Sequence, residues 1–160
     1  MSLDTWGELV KLDALQMFVG EQIGGGAARR VYAHGMDKDL VIKVEIAKNS
    51  FQNALEWSAW HDLKDTKLGK WLAPCEHISD WGVALIQRRT QPIRADELPN
   101  LIPNVFTDLK VRNWGMLNGR IVCHDYGMLM CHERAASASR MHKAEWWEDR
   151  YGYIKPEAKP

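Results

Sequence analysis

In the run FTDLKVRNWGMLNGRIVCHDYG, residues 106–127, two carboxylates, an amide and a lysine crowd together as Asp108, Lys110, Asn113 and Asp125. An aspartate is a proton acceptor or a hard oxygen ligand, and an asparagine carbonyl between two aspartates completes the kind of donor set that Mg²⁺ prefers beside phosphate. Each residue also has a plainer use, because Asp and Asn routinely cap turns. A second group lies upstream. Lys43 sits in the apolar run LVIKVE, where an ammonium needs an anionic partner unless it snorkels to an edge. Glu56 on the next element could be that partner, and so could Glu45 on the same strand face. Gly24, Gly25 and Gly26 would let backbone amides approach a phosphate closely, or they form only a tight turn.

These side chains must be positioned by elements that the hydrophobic pattern outlines. Asp4 to about Leu15, with Trp6, Leu9, Val10 and Leu15 apolar, predicts a short amphipathic helix entered at Asp4. QMFVGEQIGGG, RRVYAH and LVIKVEI, separated by glycines and by GMDKD, predict three antiparallel strands. Phe51, Leu55, Ala59 and Leu63 recur every fourth residue between Ser50 and Lys64, with Trp57 and Trp60 as a second stripe, predicting a helix capped by Asn49 or Ser50. CEHISDW and GVALIQRR then predict two more strands, VALI being buried on both faces. Pro92, Pro99 and Pro103 reduce the following segment to a connector with one helical turn. Asn118-Gly119 predicts a hairpin between GML and RIVCH, so both aspartates bracket it from loops. HERAASASRMHKAEWWEDR reads as helix, and YGYIKPEAKP as a polar tail.

Composition narrows the function classes. With 160 residues, 46% apolar and 26% charged, the chain is ordinary globular material, expected as one domain. Its 21 basic and 21 acidic residues leave no net charge, so neither nucleic acid nor a membrane surface is expected as a partner. Arg88, Arg89, Arg94, Lys110 and Arg112 accordingly read as solvated surface. Three cysteines without a close pair suit a reducing cytoplasm, and no signal or membrane-spanning run is visible. Eight tryptophans read first as core packing. Zinc held by Cys123-His124, Cys131-His132 and His142 is a weaker alternative, because adjacent strand residues point to opposite faces.

Taken in order, these pieces resemble the protein kinases and their kinase-like relatives, from about Gly24 to Gly127. GGGAARRV resembles the glycine-rich loop at Gly24, Gly26 and Val31, with Arg29 in place of the third glycine. LVIKV resembles the strand whose lysine holds the α- and β-phosphates, here Lys43, and Glu56 falls on the helix whose glutamate pairs with it. LIQRR, with Gln87 and Arg88, falls at the hinge that meets adenine. DLKVRN resembles the catalytic loop, which implies Asp108 as base, Lys110 as a γ-phosphate contact and Asn113 as a metal ligand. DYG resembles D-F-G, which implies Asp125 as the main metal ligand.

The resemblance implies an α+β fold: a kinase-like N-lobe of five antiparallel strands and one helix, a minimal catalytic hairpin and a much reduced helical C-lobe. It divides a single domain into an N-terminal helix (1–15), N-lobe (16–88), connector and catalytic strip (89–130), and C-terminal helix and tail (131–160). It departs from the family at Phe106 and Thr107, where His and Arg are usual, in the short interval before Asp108, and in having no A-P-E. The implied activity is transfer of the γ-phosphate of ATP, with Mg²⁺, to a hydroxyl, as in Ser/Thr kinases. The acceptor stays open among a small molecule, a partner protein and the protein itself, as does a homodimer that rebuilds the missing lobe. Proteins this compact resemble those of phages, which would place the chain in a host cytoplasm. The alternative is a kinase-like binding module that regulates a partner without catalysis.

Overall fold

A computed structural model describes residues 3–129 and 140–148, with side chains from Thr5 onward. The β-branched runs form a five-stranded sheet of β1 (Val19–Gly25), β2 (Arg29–His34), β3 (Leu40–Glu45), β4 (Cys75–Ile78) and β5 (Ala84–Arg88). The strand order is β1-β2-β3-β5-β4, antiparallel throughout. Helix α1 (Leu3–Phe18) precedes the sheet, and α2 (Gln52–Leu63) connects β3 to β4. The fold class is therefore α+β, with the expected βββαββ order. Lys43 lies opposite Val31 on one side and Leu85 on the other, at the middle of the central strand. Among the described residues no helix is long and apolar enough to cross a membrane.

Several local expectations are corrected. Helix α1 forms, but Trp6, Leu9, Val10 and Leu15 are all exposed rather than packed. Neither Asn49 nor Ser50 caps α2: Phe51 precedes it with φ 52° and no side-chain cap. The Ser50 hydroxyl instead donates to Glu45 Oε2 (2.6 Å), and Glu45 Oε1 accepts the backbone N–H of Asn53 (2.6 Å), so a strand carboxylate satisfies the helix end. The buried face of α2 carries Asn53, Glu56, Ala59 and Leu63, while Phe51 and Leu55 are exposed. The first half of that face is polar because it covers the sheet around Lys43. VALI alternates: Val83 faces solvent, and it is Leu85 and Gln87 that are fully buried.

The lower half is built around Trp114. It stacks edge-on with Phe106 at 5.0 Å, Trp146 at 5.3 Å and Trp71 at 6.4 Å. Trp114 opens β7 (Trp114–Leu117), which pairs with β8 (Arg120–Cys123) through Asn118 (φ 50°) and Gly119 (φ 76°), the left-handed pair that a tight hairpin requires. The connector contains the single expected turn, Ala95–Glu97, and one unexpected strand, β6 (Leu101–Pro103). β6 pairs with β9 (Met141–Lys143), so the described part of the expected C-terminal helix is strand and extended chain. Tertiary partners override its helix propensity there: β6 offers an open ladder, and Trp146 donates to the Pro99 carbonyl at 2.9 Å. The remainder of that expected helix and the polar tail lie outside the described residues.

Candidate functional site

The geometry starts from Lys43. Its ammonium is buried at the sheet centre and is paired with Glu56 and with the backbone carbonyl of His124. The partner left open by the sequence is thus Glu56, since Glu45 is committed to the start of α2. Glu56 is fully buried, and its two oxygens meet four donors: Lys43 and Gln87 Nε2 on one, Arg29 Nη2 and the Tyr126 N–H on the other. A buried carboxylate is stable as an anion only when saturated in this way.

Arg29 is the residue that sequence reasoning passed over. It opens β2, three residues after Gly26, and turns inward, 8% exposed. The same Nη2 meets Glu56 Oε2 at 3.1 Å and Asp125 Oδ1 at 2.5 Å, while Nη1 meets Asn53 Oδ1 at 3.3 Å. Asp125 opens toward a cavity. Burial would raise its carboxyl, but Lys43 and Arg29 outweigh that and hold it below the usual carboxylate range. Gly127 follows at a close crossing, where a Cβ would lie 2.8 Å from the Gln52 carbonyl oxygen, so this loop and the start of α2 fit only around glycine.

The third part is the strip before the hairpin. Asn113 donates from Nδ2 to Asp108 Oδ2 at 3.2 Å, and Lys110 Nζ stands 3.9 Å from that oxygen and 4.9 Å above the Trp147 ring. Val111 N–H donates to the Trp147 carbonyl (3.0 Å) and Trp147 N–H to the Leu109 carbonyl (3.1 Å). Extended chain therefore braces the strip.

His124 ties the parts together. Its Nε2 lies 2.8 Å from the Arg112 carbonyl, so that nitrogen carries the proton, and Nδ1 accepts from the Thr90 hydroxyl at 2.8 Å. Burial, followed by the neighbouring Lys43 charge, lowers its pKa from 6.5 to about 4. An unfolded chain takes up this proton below pH 6.5 while the native one does not, so the stability involved is complete above 6.5 and is lost as pH falls toward 4. We expect His124 to cost about 2 kcal/mol between pH 7 and pH 5 in metal-free buffer. Urea midpoints of wild type and His124→Asn across that range check this: the variant should be flatter by that amount.

These parts surround one cavity of about 1010 Å³. Gly24, Gly25, Gly26, Val31, Lys43, Gln87, Arg88, Lys110, Asn113 and Asp125 all line it. Two expected residues are not part of the lining: Glu56 is buried and holds Lys43 from within, and Asp108 is half-exposed and contacts the lining residues Asn113 and Lys110. No protein-family model and no curated protein matches the sequence. What the site can do is therefore argued from its own chemistry.

Arginines expected as solvated surface stand in different settings, Arg88 being exposed and paired with Glu76 at 2.5 Å while it also borders the cavity. Arg88, Arg89 and Arg112 line the cavity, whereas Arg94 is exposed and paired with Asp96. Zero net charge concealed this local concentration, and a tally over the converging segments alone would have revealed it. For zinc, His124 already uses both ring nitrogens and Cys123 Sγ donates to the Asp125 carbonyl; Cys131 and His132 lie outside the described residues. Among the described residues no three His, Cys, Asp or Glu side chains form a metal cluster.

Proposed function

We propose that the chain binds ATP in this cavity and acts as a kinase-like phosphotransferase, its sheet and α2 serving as a kinase-like N-lobe above a minimal catalytic hairpin and a reduced C-lobe. The observation that carries the reading is charge. Arg29, Lys43, Arg88, Arg89, Lys110 and Arg112 line one cavity with the carboxylates of Asp125 and Glu148. Although Glu56 behind Arg29 and Lys43, Glu76 beside Arg88 and Asp108 near Lys110 offset much of that charge, the basic groups stay in excess. That excess is complementary to a polyphosphate.

The glycines support it. A Cβ on Gly26 would meet nothing within 4 Å, and one on Gly24 only ordinary contacts with Val31. Neither has a positive φ, so internal packing does not demand glycine, whereas close approach of a phosphate does. Gln87, Arg88, Arg89 and Thr90 line the part of the cavity assigned to adenine. Lys43, fixed by Glu56, meets phosphate oxygens; Lys110 compensates charge on the transferred group; Asp108 accepts the proton of the acceptor hydroxyl.

Mg²⁺ fits this donor set through the Asn113 carbonyl oxygen and the Asp125 carboxylate, one of whose oxygens Arg29 now holds. When bound, it would neutralise phosphate charge beside these residues. A second reading, a binding module without catalysis, is favoured by that same Arg29 contact. The acceptor class remains a small molecule, a partner protein or the chain itself, and a homodimer that completes the reduced lobe belongs to the same proposal.

The test is the thermal midpoint with ATP, with and without Mg²⁺. Saturation at ~100 times the dissociation constant stabilises by about 2.7 kcal/mol, or roughly 5–10 °C for a chain of this size. No shift at millimolar ATP, with or without Mg²⁺, would remove the nucleotide reading. Gly26→Ala should leave unliganded stability within about 0.5 kcal/mol of wild type and weaken ATP binding in calorimetry. Unchanged affinity would take the hairpin out of the site.

A further inference from the structure

The guanidinium of Arg29 already stands where a cation serving Asp125 would be expected. It is tethered at the start of β2, directly after the glycine turn, and its own carbonyl accepts the Gly26 N–H at 2.9 Å. Arg29 and Lys43 balance Glu56 and Asp125, so the cluster is closed in charge. A divalent cation approaching Asp125 would find one oxygen taken at 2.5 Å and a fixed positive group beside it. Mg²⁺ demands near-ideal oxygen geometry and sheds water reluctantly, so it competes poorly for a carboxylate held in this way. A polyphosphate changes the balance, because the planar guanidinium fork pairs with phosphate as well as with carboxylate.

We propose that Arg29 is the built-in counter-cation of Asp125, excluding divalent metal from that carboxylate until a polyphosphate in the cavity draws the guanidinium away. Arg29 is then a ligand-positioning residue with two alternative partners, Asp125 in the free protein and phosphate in the bound one. The inference rests on the nucleotide reading only for the identity of the anion.

The experiment uses Mn²⁺ alone, with the full chain and no nucleotide, so that its result is independent of ATP binding. Free Mn²⁺ is read by electron paramagnetic resonance, and its position by broadening of the Asp125 and Tyr126 amide resonances. Wild type should leave these amides sharp. Arg29→Gln should bind Mn²⁺ about tenfold or more tightly than wild type, the equivalent of one charge-assisted contact, with broadening that disappears in Arg29→Gln/Asp125→Asn. Broadening of Asp125 in wild type by Mn²⁺ alone, lost in Asp125→Asn, would overturn the proposal. So would a folded Arg29→Gln that takes up no more Mn²⁺ than wild type. If Arg29→Gln does not fold, Arg29→Met, which fills the site with an apolar chain and removes the charge, is measured in its place with the same two outcomes.

Discussion

Asp108→Asn should lower phosphate transfer by about 10²–10⁴-fold, the usual contribution of a positioned general base, and leave the affinity for ATP unchanged. The substitution is isosteric, and its surroundings favour retention of structure. Asp108 is half-exposed and accepts from Asn113 at 3.2 Å, a bond that an asparagine oxygen in the same place retains, and only the 3.9 Å ion-pair contact with Lys110 loses its charge. What it loses is the ability to take a proton from an acceptor hydroxyl. Because Asp108 does not line the cavity, the nucleotide does not depend on it. The measurement pairs calorimetric ATP binding with a radiolabel transfer assay that includes the chain itself as acceptor. Equal transfer by the two proteins would discard Asp108 as base. Absence of transfer in both, with ATP bound, would favour the binding module.

The sequence carried the strands because they are short, rich in β-branched residues and punctuated by glycine or, between β7 and β8, by Asn-Gly, signals that act locally. The hairpin at Asn118-Gly119 needed nothing beyond its own two residues. The C-terminal segment was misread because the partner that decides its conformation, β6, lies about forty residues earlier in a proline-rich stretch with little strand character. The face of α2 was misassigned for a related reason. Periodicity ranks residues by apolarity, whereas this helix covers a cationic centre, so Asn53 and Glu56 turn inward and Phe51 and Leu55 outward. Lys43, Asn113 and Asp125 stand out in the sequence through the ordered resemblance to kinase motifs, and the structure brings all three to one cavity. Arg29 was visible only as a missing glycine, and nothing in a linear pattern says that a side chain at that position will reach both Glu56 and Asp125. The bracing role of His124 likewise depends on Thr90 and Arg112, which meet only in three dimensions.

Glu56→Ala should destabilise the protein by about 3–5 kcal/mol, the cost of removing one partner of a buried ion pair. The deleted carboxylate leaves the Tyr126 N–H without its acceptor, the Lys43 ammonium with the His124 carbonyl but no anion, the Gln87 amide with the Ala73 carbonyl at 3.4 Å, and Arg29 with Asp125 and Asn53. At roughly 2–4 °C per kcal/mol for a chain of this size, the thermal midpoint falls by about 10 °C. Urea denaturation gives the free energy directly, and a loss below about 0.5 kcal/mol would show that Glu56 is not the hub the geometry makes it. Buried ion pairs, however, seldom exist for stability, since apolar replacements of similar volume are often neutral or better. Lys43→Met/Glu56→Leu should therefore recover a large part of the stability lost in Glu56→Ala while losing ATP binding altogether. That separation would assign the pair to ligand positioning. Full ATP affinity in the double variant would instead make Lys43 a structural lysine and move the phosphate contacts to the arginines on the cavity wall.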